Sequence, residues 1–176
     1  MGPEAPPSWE EAGIQHRGVQ GIHFGDTWAD TLKRLGEPDL KTRGDGMRAW
    51  INLWYRTGEY AGLKYQFIHD QDDYESSVLD YVVIKAPYSG QTPEGIGIGA
   101  TTEQVEAAYG EPDWSNFHPV GYPASPGDTT YVLLDRWQYE YCYGSRRLGI
   151  NLIEGVVDAI FFGWHGEPIG PTECAR

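Results

Sequence analysis

The side chains best suited to chemistry in this chain are not spaced for catalysis. His23, His69, His118 and His165 are scattered, and lone histidines of this kind are ordinarily surface or half-buried groups rather than ligands. Ser145 stands in Y-G-S-R-R, outside the G-x-S-x-G frame that presents a nucleophile on a strand-to-helix turn. No H-E-x-x-H, phosphate-binding loop or C-x-x-C appears. Asp70, Asp72, Asp73 and Glu75 look at first like a calcium loop. They lack the turn glycine and the distal glutamate of the twelve-residue pattern, and Asp is a turn former in its own right. A hairpin turn is the reading they support. No catalytic residue, metal or cofactor is expected, so the function reads as non-catalytic.

What remains is aromatic. The chain holds 7 Trp, 12 Tyr and 5 Phe, more than a core alone requires. Residues 48–55 alternate, and burying Ile51 and Leu53 puts Trp50, Asn52 and Trp54 together on the opposite face. In residues 63–68 the same parity buries Leu63, Tyr65 and Phe67 and leaves Lys64 and Gln66 outward. Trp50, Asn52, Trp54, Lys64 and Gln66 are therefore the candidate binding residues, because exposed tryptophans typically anchor interfaces. Trp137, Tyr139, Tyr141 and Tyr143 point inward by the same logic, since Glu140 resists burial.

The elements that position these residues are marked by a duplicated segment. Residues 21–39 recur at 95–113 without a gap, keeping Gly21/Gly95, Ile22/Ile96, Gly25/Gly99 and Thr27/Thr101, and the closing G-E-P-D of Gly36/Gly110 to Asp39/Asp113. Thr27 and Thr101 stand where helix N-caps belong, with Asp30 and Gln104 placed to close capping boxes. Trp28, Leu32 and Leu35 share one helical face, as do Val105, Ala108 and Tyr109. Gly36 and Gly110 end each helix, and Pro38 and Pro112 forbid continuation. Strands follow at 48–55, 63–68 and 78–85, then at 131–134 running into 137–143, at 148–153 and at 157–164. Residues 41–46 read as a polar turn and 114–128 as a long Pro-rich loop. Residues 63–67 match 148–152 more loosely, and 79–82 match 157–160.

The fold expected is α+β: two tandem repeats, each a short helical segment followed by three to four antiparallel strands, with the helices on one face of a shared sheet. The divisions are a flexible leader at 1–20, repeats at 21–90 and 91–166, and an irregular tail at 167–176.

Net charge is −13 at pH 7. That excludes nucleic acid, whose phosphates need basic partners, and anionic membrane surfaces. It suits a basic protein partner or simple solubility. No apolar run approaches a membrane span. Cys142 and Cys174 could form one disulfide in an oxidising compartment or remain two thiols.

The unit built from an apolar run, Gly, Thr, a short helix, G-x-P and antiparallel strands resembles the repeat of β-lactamase inhibitory proteins and of BamE/SmpA-type outer-membrane assembly lipoproteins. The resemblance spans residues 21 to about 164. It implies a secreted or lipid-anchored bacterial protein that binds another protein. Two departures stand beside it: the inhibitors' disulfide within each repeat is missing, and no segment matches their enzyme-contacting loops. The expected function is thus an inhibitor- or assembly-type protein-binding module of the bacterial envelope or exterior. The alternatives are a cytoplasmic immunity-type protein that neutralises a basic toxin, and a small-ligand binder closed by the 114–128 loop.

Overall fold

A computed structural model describes residues 18–44, 49–69, 76–123, 131–143 and 148–163. A two-stranded ribbon, β1 (Gly18–Val19) and β2 (Ile22–His23), precedes helix α1 (Trp28–Leu35). Strands β3 (Leu40–Gly44), β4 (Ala49–Tyr55), β5 (Leu63–His69) and β6 (Val78–Lys85) follow. Helix α2 (Thr102–Tyr109) leads into β7 (Trp114–Pro123), β8 (Tyr131–Tyr143), β9 (Leu148–Ile153) and β10 (Val156–Gly163).

These eight strands, β3 to β10, form one antiparallel sheet in the order β3-β4-β5-β6-β10-β9-β8-β7. This corrects the expected fold class. Among the described residues the protein is mostly a single large eight-stranded antiparallel sheet with two α-helices, not two tandem helix-plus-strand repeats. The reason lies at the centre, where β6 and β10 pair from Tyr81↔Gly163 to Lys85↔Ala159 and leave no seam in the hydrogen bonding. One apolar cluster runs under the six inner strands, from Ile51, Leu53 and Phe67 to Leu148, Ile150 and Leu152, and takes in Trp28 and Val105 from the helices.

Two irregular segments of the sequence are strands. Residues 41–44 belong to β3, paired with β4 from Leu40↔Trp54 to Gly44↔Trp50. Most of the expected Pro-rich loop is β7, paired with β8 from Trp114↔Cys142 to Pro123↔Tyr131. Both are sheet edges, where a strand needs no apolar alternation and tolerates proline because one side of its backbone is unpaired. Residues 45–48 and 124–130 lie outside the described residues, as do the expected acidic turn at 70–75, most of the leader and the tail.

The duplicated motif is local helix chemistry. Thr27 Oγ1 accepts from Asp30 N–H at 3.2 Å while Asp30 Oδ2 accepts from Thr27 N–H at 3.1 Å. Thr101 and Gln104 repeat the box. Gly36 and Gly110 take φ of +81° with ψ of −171° and −163°. This is not the left-handed helical cap the sequence suggests but an extended positive-φ conformation reached essentially only by glycine. Tyr55 and Tyr143, from the sheet, donate their hydroxyls to the Gly36 and Gly110 carbonyls at 3.0 and 3.2 Å. Asp39 is equally structural: its carboxylate accepts from Thr57 Oγ1 and from the N–H groups of Arg56 and Thr57. The Thr57 hydroxyl, and then those amides, hold its carboxyl below the usual range.

Candidate functional site

The helices cover one face of the sheet; the candidate site lies on the other. Pleat parity fixes its members, because Ile51 and Leu53 are fully buried on the helix side. Asn52 pairs with Gln66 and Trp54 with Lys64 across β4 and β5. All five sequence-derived candidates thus stand on the helix-free face, but they do not form one site. Trp54 and Lys64 line a cavity of about 490 Å³. Trp50, Asn52 and Gln66 lie along the same face towards the other end of β4 and β5. Trp50 is half-buried, its indole filling the space that a side chain at Gly44 would need. Asn52 is only 7% exposed; its Nδ2 reaches Thr42 Oγ1 at 3.5 Å and its Oδ1 has no hydrogen-bond donor.

The rest of the cavity wall comes from strands that the sequence did not place nearby. Val83 of β6 faces Lys64, and Phe161 of β10 faces Val83. A register shift at Gln66/Phe67 leaves Asp80 as the extra residue in β6. Leu79 therefore joins the core while Tyr81 turns to the helix-free side and pairs with Gln66. The floor holds the small Ala159 beside Asn151, while the Phe161 ring covers Gly149. Bulky Trp54, Tyr81 and Phe161 around small residues make the face concave. Tyr81 and Phe161 are 6.5 Å apart between centroids, tilted by 53°.

Lys64 supplies the charge. Its Nζ lies 4.7 Å from the Trp54 ring centroid and 5.6 Å from that of Tyr81. Among the described residues no carboxylate stands within ion-pairing distance of it. Burial lowers its ammonium below the ordinary lysine range and pushes the Tyr81 phenol well up. The Arg56 guanidinium stands 5.7 Å from the Trp54 centroid, at the cavity wall. Lys85 also lines the cavity but is turned to Asp158 at 3.7 Å. Asn151 offers a buried Oδ1 that receives no hydrogen bond.

A second aromatic group was missed by the sequence reading. Phe117, Trp137 and Tyr139 are 48%, 49% and 39% exposed. Phe117 stacks on Trp137 at 4.7 Å and on Tyr139 at 4.4 Å. They share the helix side with Tyr141 and Tyr143, so the inward parity is met, yet only Tyr141 and Tyr143 are buried. The Tyr141 hydroxyl donates to Glu106 of α2 at 2.9 Å; burial, then that carboxylate, push its pKa up to about 12. Phe117 was hidden because its segment read as loop.

The lid alternative loses its loop over residues 114–123, which are strand. Cys142 is 3% exposed and disulfide-bonded; Cys174 lies outside the described residues. Among the described residues no three His, Cys, Asp or Glu side chains gather into a metal site, and no helix is long and apolar enough to cross a membrane.

No protein family and no curated protein matches the chain. Among solved structures it is similar to an extracellular protein containing an SCP domain from Bacillus anthracis str. Ames, at 10% identity and a TM-score of 0.44 over 85% of this chain. The chain spans about half, 51%, of that protein's length.

Proposed function

We propose that this chain is a non-catalytic protein-binding module, of inhibitor or assembly type, that receives its partner on the helix-free face of the sheet. One observation carries the reading: that face holds a concavity of about 490 Å³ walled by Trp54, Tyr81 and Phe161, with the Lys64 ammonium unpaired among the described residues. Half-buried aromatic anchors around a desolvated charge are the composition of interface hot spots. The chain's −13 charge attracts a partner whose wider surface is basic. Disulfide-bonded Cys142 supports work outside the cytoplasm, because such bonds persist in oxidising compartments. The resemblance to inhibitory and assembly proteins points the same way. The cytoplasmic immunity-type alternative shares the charge argument but not the disulfide.

The test starts from the partner captured from the extracytoplasmic fraction and then purified. Hydrogen exchange with and without it should show protection on β4, β5 and β6 and none on α1 or α2. The Trp50→Ala/Trp54→Ala double variant should stay folded and lose the partner. A footprint confined to the helices, or undiminished binding by the double variant, overturns the reading.

A further inference from the structure

We infer that the cavity recognises the free C-terminal carboxylate of a protein partner, carried beside an aromatic or apolar last side chain. This rests on the docking face proposed above and names what enters it.

Each part of the ligand answers a group that the cavity leaves unused. Lys64 is the centre. An aromatic enclosure of Trp54 and Tyr81 would ordinarily suit a cationic ligand. Here the protein's own ammonium already lies against both rings, at 4.7 and 5.6 Å, so a second cation would be repelled. Among the described residues no carboxylate lies within ion-pairing distance of this half-buried ammonium, since Glu140 of the cavity wall stands on β8, four strands from β5. The ammonium calls for an anion, and Arg56 beside Trp54 adds a second positive charge. Lys85 adds little, since Asp158 already faces it. The positive charge is notable in so acidic a chain, whose overall field disfavours anions at long range. Selection for an anion must therefore be short-ranged and made by these side chains.

The ligand's body is set by the walls. Trp54, Val83 and Phe161 offer apolar surface, and the small Ala159 gives the depth to receive a ring. Inorganic phosphate would use the charge but leave those walls bare. A neutral sugar would stack on the rings and leave Lys64 unpaired. Asn151, on β9 and paired with Glu140, lies three strands from Lys64 at the far wall and takes no part in holding the carboxylate. A carboxylate beside an apolar side chain is the chemistry of a peptide's last residue, which fits the protein partner proposed for this face.

Calorimetric titration of the full chain tests this. The probes are N-acetylphenylalanine, its C-terminal amide, and a hexapeptide ending in phenylalanine with a free or an amidated terminus. The free carboxylates should bind, the amides roughly tenfold or more weaker, as expected for loss of a charge-assisted contact. Lys64→Gln should abolish the preference and Lys64→Arg should retain it. Binding by the free-carboxylate hexapeptide at least as tight as by N-acetylphenylalanine supports a protein terminus. Binding by N-acetylphenylalanine that the hexapeptide lacks assigns the carboxylate to a small molecule and overturns the inference. Equal affinity for acid and amide, a preference that survives Lys64→Gln, or no binding of either acid at millimolar concentration overturns the inference. If that occurs while partner capture still requires Trp54, only the ligand class fails. Capture indifferent to Trp54 overturns the docking face instead, whatever the probes do.

Discussion

The two faces of the sheet solve the same problem differently. On the helix side, the four tyrosines brought into the core are matched: Tyr55, Tyr65, Tyr141 and Tyr143 donate their hydroxyls to Gly36 O, Val19 O, a Glu106 oxygen and Gly110 O, and the buried Ser77 Oγ is the exception. On the helix-free side, Asn52 and Asn151 each bury an oxygen that receives nothing, and Lys64 has no ion-pair partner among the described residues. Matched hydrogen bonds contribute modestly, whereas unmatched buried ones cost more than they return. The difference marks the helix side as the face that stabilises the fold, and the other as one that forgoes stability.

Truncation across β5 and β4 gives the largest contrast. Phe67→Ala, on the fully buried side, should cost about 3–5 kcal/mol. Trp54→Ala, half-buried on the other side, should cost about 1–2 kcal/mol despite removing a larger side chain. Urea denaturation of both variants measures this. Equal losses would mean that the helix-free face is a second core.

Polar substitutions should separate the faces by sign. Tyr65→Phe strands the buried Val19 carbonyl and should destabilise by about 1–3 kcal/mol. Asn151→Leu removes an acceptor that has no donor and should be neutral or gain up to about 1 kcal/mol. An Asn151→Leu variant that melts markedly earlier would show that this amide is matched after all.

The smallest effect concerns neither face. The Asp39 carboxyl is held low by the Thr57 hydroxyl and the neighbouring amides, and Asp30 by the Thr27 hydroxyl and amide. Their folded pKa values lie below the unfolded ones, so their contribution is complete above about pH 4 and is lost as pH falls through the folded values. Thermal midpoints should decline on acidification, and Asp39→Asn should flatten that decline. An unchanged acid profile in the variant would remove Asp39 from the account.

How far the sequence reached follows from where patterns exist. Alternation around Ile51, Leu53, Tyr65 and Phe67 was enough to find β4 and β5 and to put Trp54 and Lys64 on one side. The caps at Thr27 and Thr101 were equally legible, since N-capping needs only local chemistry. The edges were not: Lys41 and Arg43 carry no apolar rhythm, and Pro119 and Pro123 imitate a loop. Nor was the single sheet, because the duplicated motif records helix ends, while continuity depends on β6 meeting β10 far along the chain. The missing half of the cavity has the same origin. Phe161 becomes a neighbour of Val83 only through that pairing, and Tyr81 reaches the cavity only because Asp80 is an extra residue in the ladder.

The two outermost strands carry a further consequence. A sheet that does not close on itself offers backbone donors and acceptors along β3 and β7 to any passing extended chain. At β3 the offer is short, five residues, and alternates in Lys41 and Arg43. At β7 it is longer, but Pro119 and Pro123 have no N–H to give, and the register breaks between Pro119 and Gly121. A ninth strand therefore finds charge at one margin and missing donors at the other. The features that disguised these segments as turn and loop are the ones that keep the sheet from growing into a fibre.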